Sequence, residues 1–83
     1  MSKLIFRIKG DEVKWDVYLN DFLGEDIAKD CIVEGVATAK ERSARVHILK
    51  FKNNQQVINK LKSSDDVISA YLVDNNQIVK TIR

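Results

Sequence analysis

The chain holds one histidine and one cysteine, His47 and Cys31, sixteen residues apart. Metal centres draw on clustered Cys, His and carboxylate ligands at fixed spacing, so this pair argues against a structural zinc site. No segment has the spaced acids and central glycine of a calcium loop. Asp65-Asp66 follows a short helical pattern and reads as a solvated pair rather than a magnesium site. A cysteine nucleophile needs a stabilised thiolate, whereas Cys31 falls on an apolar stripe and reads as a small buried hydrophobe. His47 lies between Val46 and Ile48 on a strand pattern and reads as a surface or interface residue, because a general base also needs a partner and a cleft. The acids fall on turns and helix starts, and three isolated glycines make no phosphate loop. The expectation is a protein that is not an enzyme, with no catalytic, cofactor-binding or metal-binding residue and no cofactor.

Charge is more informative than chemistry. Residues 1–41 carry nine acids and six bases, while residues 42–83 carry three acids and eight bases. Arg42, Arg45, Lys50, Lys52, Lys60 and Lys62 follow one another with no acid between them. Such asymmetry points to a face that meets an acidic partner or nucleic acid. The overall charge of +2 is small for a dedicated nucleic-acid protein.

A chain of 83 residues is one small domain with one modest core. Its 45% apolar and 31% charged residues are globular values. No apolar run nears the roughly 20 residues that cross a bilayer. Arg7 and Lys9 interrupt the run after Met1-Ser2-Lys3 before it could form a signal-peptide core. These features, with a single cysteine, imply a cytoplasmic location and no membrane partner. The chain begins with Met and ends just after a strand, and reads as a complete small gene product like the accessory regulators of bacteria and their phages.

Leu4, Phe6 and Ile8 alternate with Lys3, Arg7 and Lys9, which predicts a strand with one buried face. Gly10-Asp11 is a turn signal, and Val13, Trp15, Val17 and Leu19 alternate beyond it, so a hairpin is favoured. The competing helix would align Trp15, Tyr18, Leu19 and Phe22 but put Val13 and Val17 on its polar side. From Glu25 to Arg42 the apolar spacing predicts a helix, with Asn20 or Asp21 as its cap and Gly35 able to admit a close neighbour. The alternative is two strands, Cys31–Ala39 and Ala44–Lys52, joined near Glu41. Arg45–Lys52 reads as a central strand, with Val46 and Ile48 on one face and Leu49 and Phe51 on the other. Asn53 or Asn54 caps a helix carrying Val57, Ile58 and Leu61. Strands over Val67–Val73 and Gln77–Ile82 flank an Asp74-Asn75-Asn76 turn.

These elements predict an α+β fold, a small antiparallel or mixed sheet with two helices, in the order ββαβαββ. The alternative, a ferredoxin-like βαββαβ order plus a C-terminal strand, is similar to an ACT-type regulatory domain and would imply small-molecule sensing. Gly10-Asp11-Glu12 departs from the Asp-x-x-Gly-like ligand turn of that family.

Two helices cannot cover both faces of a sheet. If Val46, Ile48, Ala70 and Leu72 meet the helices, then Leu49, Phe51, Tyr71 and Val73 face outward and mark an interaction site. The expected patch is Arg45, His47, Leu49, Lys50, Phe51, Lys52, Tyr71 and Val73, apolar at Phe51 and Tyr71 and rimmed by bases. The function it suggests is that of an adaptor, inhibitor or regulator that occupies a protein partner's surface. The alternative is RNA or single-stranded DNA on the basic 42–62 face, although the RNA-recognition signature is absent. The last strand is also a free edge, which leaves a homodimer open.

Overall fold

The computed structural model describes residues 2–52 and 54–83, so Met1 and the candidate cap Asn53 lie outside the described residues. The elements are β1 (Ser2–Lys9), α1 (Glu12–Leu23), α2 (Glu25–Ala28), β2 (Cys31–Ala37), β3 (Arg42–Phe51), α3 (Gln55–Ser63), β4 (Val67–Asp74) and β5 (Gln77–Thr81). The strands form one antiparallel sheet in the order β2-β3-β1-β4-β5. The fold is α+β, and its element order is the alternative βαββαβ with one strand added, not ββαβαββ.

Two segments account for that difference. Residues 12–23 form a helix, not the second arm of a hairpin. Both edges of β1 are taken, by β3 and β4, so no place remains for a hairpin partner. As a helix the segment buries Trp15, Leu19 and Leu23 at i, i+4 and i+8, and leaves Val13 and Val17 exposed. Gly10, at φ +129°, turns the chain into it, and the Asp11 carbonyl accepts the Lys14 and Trp15 amides. Asn20 and Asp21 thus lie inside α1 rather than capping a later helix.

Residues 25–42 are not one helix either. The single turn α2 is followed by β2, which pairs along β3 from Cys31↔Ile48 to Ala37↔Arg42. The two-strand alternative is therefore the arrangement found, closed by Thr38 and Glu41, whose backbone and side-chain hydrogen bonds interlock. Gly35 is a strand residue, and a Cβ there would stand 2.9 Å from Trp15 Cζ3. The indole occupies the space that a side chain would need.

The remaining elements follow the sequence reading. Asn54 caps α3, its side-chain oxygen accepting the Gln56 amide, and Val57, Ile58 and Leu61 are buried. Asn75 and Asn76 take positive φ in the tight β4–β5 turn. One core joins the helices to a single sheet face through Leu4, Phe6 and Ile8 of β1, Ala44, Val46 and Ile48 of β3, and Val67 and Ala70 of β4. Tyr18 Oη lies 2.8 Å from Ser64 Oγ, and Lys60 Nζ donates to the Phe22 carbonyl at 2.9 Å, which ties α1 to α3.

Candidate functional site

The sheet face opposite the helices carries the side chains that alternate with the core. Two rows cross it. Ile32, His47, Ile5, Tyr71 and Thr81 occupy paired positions from β2 to β5, and Glu34, Arg45, Arg7 and Ser69 form the next row. Lys3 and Val73 pair beyond them, with Ile78 beside Val73 on β5. Among the described residues no helix packs on this face. Ile32, Leu49 and Ile78 are 49%, 44% and 62% exposed, whereas Ile5, Tyr71 and Val73 are half-buried. The face holds three bases, Lys3, Arg7 and Arg45, against one acid, Glu34.

The structure divides the predicted patch. Arg45, His47, Leu49, Tyr71 and Val73 share the bare face, but Phe51 does not join them. A bulge in β3 sets Leu49 and Lys50 against the single residue Lys3, because Ile48 pairs with Leu4 and Phe51 with Ser2. The extra residue reverses the alternation, so Phe51 turns to the helix side and is 5% exposed. Strict period-2 reading placed it outward, and the strand is covered on one face, not two. Lys50 and Lys52 line a separate cleft of about 400 Å³ with Phe51, Asp26 and Asp30, where acids offset them.

Arg7, Ile5, Lys3, Glu34 and Ile32 also lie on the face and are absent from the predicted patch. The signal for three of them lay in β1, whose alternation sends Lys3, Ile5 and Arg7 away from Leu4 and Phe6. Glu34 and Ile32 were hidden by the helical reading of their segment. Glu34 Oε2 lies 3.8 Å from an Arg45 nitrogen and 3.7 Å from His47 Nε2. Arg7 Nε and His47 Nε2 are buried without hydrogen-bond partners.

A second apolar surface lies on the helix side. Val13, Val17, Tyr18 and Phe22 border an open cleft of about 740 Å³ with Lys9, Lys14 and Asp66 at its margins. Tyr18 and Phe22 stack there at 4.7 Å, and burial pushes the Tyr18 hydroxyl up from its ordinary value. Cys31 sits at the start of β2, not on a helix stripe. Its Sγ–H donates to the Ile27 carbonyl, and burial, aided by Asp30, pushes the thiol up to about 11. Among the described residues, no three His, Cys, Asp or Glu side chains converge to hold a metal, and no helix is long and apolar enough to cross a membrane.

The chain matches no family model, no curated protein and no solved structure.

Proposed function

We propose that this is a small regulatory binding protein, an adaptor or inhibitor, that docks the bare face of its sheet on a protein partner with an acid-rich contact surface. The observation that carries this reading is the exposure of Ile32, Leu49 and Ile78 beside Ile5, Tyr71 and Val73, on a face that nothing in the described chain covers. Apolar groups left in water at such a face gain free energy when a partner covers them, about 25 cal/mol per Å² of apolar surface buried. The bases on the face select the sign of the partner and speed its encounter. Face-to-face pairing of two copies would bring two sets of Lys3, Arg7 and Arg45 together with only Glu34 of each copy to offset them, which argues against a homodimer through this surface. The reading gives Cys31 no part as a nucleophile, since burial pushes its thiol up to about 11. It also places the protein in the cytoplasm, which a lone free thiol suits.

A second reading, single-stranded nucleic acid on the same face, draws on Tyr71 and His47 in one row beside Arg7 and Arg45 in the next. Capture from bacterial lysate on tagged protein, with and without nuclease, separates the two. A discrete protein that survives nuclease, and is lost when Leu49→Ser and Tyr71→Ala are introduced, supports the first. Bands that vanish with nuclease move the assignment to the second.

A further inference from the structure

The geometry points to a phosphoryl-oxyanion site in a cleft of about 170 Å³ on the bare sheet face, between Arg7, Arg45, Ser69 and Tyr71. Arg7 and Arg45 are direct cross-strand partners on β1 and β3, and Ser69 faces Arg7 from β4. Tyr71 borders the same cleft from the adjoining row. Three neighbouring strands thus line one small space with two arginines, a serine and a tyrosine.

Like charges placed directly opposite on adjacent strands oppose folding. Here little offsets them. Arg7 Nε is buried without a hydrogen-bond partner, and among the described residues no carboxylate lies within ion-pair distance of its guanidinium. Arg45 has Glu34 at 3.8 Å, but that carboxylate sits on the edge strand and also faces His47. Two cations opposed across neighbouring strands, one of them with no carboxylate partner, favour an anion between them. An oxyanion in the cleft would meet the guanidinium groups of Arg7 and Arg45 and take the Ser69 and Tyr71 hydroxyls as further donors. A carboxylate offers two oxygens in one plane. A phosphoryl group offers three in a tetrahedral array, which suits donors arriving from three strands, and guanidinium groups pair with it in bidentate fashion. Lys50 and Lys52, the most conspicuous lysines in the basic stretch, have no part in this site.

The site does not depend on the partner-docking reading, because its probe is inorganic phosphate alone. The full chain, labelled with ¹⁵N, is titrated with inorganic phosphate and, at matched ionic strength, with sodium chloride, while the arginine Nε–H signals are followed. The expected result is a saturable shift of the Arg7 and Arg45 signals with phosphate and none with chloride. Arg45→Gln should weaken it by about tenfold or more, as for loss of a charge-assisted pair, and Lys52→Gln should leave it unchanged. Arg45 is exposed, so its replacement keeps the fold available to the test. A second arm adds a short single-stranded oligonucleotide. Displacement of phosphate assigns the group to a phosphodiester, and no displacement assigns it to free phosphate or a small ester. An equal response to chloride, or a phosphate response untouched by Arg45→Gln, would overturn the site.

Discussion

Arg7 and Arg45 stand opposite each other on the neighbouring strands β1 and β3, and among the described residues only Arg45 has a carboxylate within ion-pair distance, Glu34 at 3.8 Å. The register that opposes them is fixed from beneath by Phe6 and Val46, the buried pair next to them. The core therefore holds two cations together that would otherwise separate. Arg7→Thr should leave stability unchanged or raise it by about 0.2–1 kcal/mol, the range for relief of an unfavourable cross-strand pair. Urea denaturation measures this, and a loss beyond about 1 kcal/mol would make Arg7 a structural residue.

The bulge in β3 makes a sharp contrast between neighbours. Phe51→Ala should cost about 3–5 kcal/mol, as for an aromatic ring removed from a core. Leu49→Ala, on the bare face and 44% exposed, should cost well under half of that. Equal losses in chemical denaturation would mean that the alternation runs unbroken through the strand.

Gly35 and Trp15 are as closely fitted as the core pairs. Gly35→Ala sets a Cβ 2.9 Å from the indole, which must move within the core. Overpacking of this kind costs about 1–3 kcal/mol. A shift in Trp15 fluorescence should accompany the loss, because Trp15 is the only tryptophan. An unchanged spectrum and stability would show that the indole does not rest on β2.

Cys31 gives a pH-dependent reading of the same packing. Its thiol is pushed from 9.0 to about 11 by burial, so the folded state holds this proton more tightly than the unfolded chain. Stability from this group is present below the unfolded value and declines as pH rises from there towards 11. Alkylation by iodoacetamide near pH 8 should be on the order of a hundredfold slower than for a free thiol, and should accelerate with pH towards 11. A rate equal to that of the unfolded chain at pH 8 would contradict the burial.

Local signals with a single physical cause were legible in the sequence. The alternation of Leu4, Phe6 and Ile8, the Asn54 cap and the Asn75-Asn76 turn each specify their element without reference to the rest of the chain. The pattern of residues 12–37 is ambiguous until strand partners are assigned. Val13, Trp15, Val17 and Leu19 fit a strand, and only the occupation of both β1 edges decides for the helix. Phe51 was lost to a one-residue bulge, a tertiary feature with no mark in the local pattern. The bare face was anticipated in part, through Arg45, His47, Leu49, Tyr71 and Val73, and its Arg7 and Ile5 come from a strand whose outward side was already evident.

The most direct measurement is site-specific photo-crosslinking in nuclease-treated bacterial lysate, with a photoreactive residue placed in turn at Leu49, Val73 and Val17. Leu49 and Val73 sample the bare sheet face, and Val17 samples the exposed side of α1. Discrete cross-linked protein bands from Leu49 and Val73, with none from Val17, are the predicted result. Bands from Val17 alone, or from none of the three, would contradict docking through the sheet.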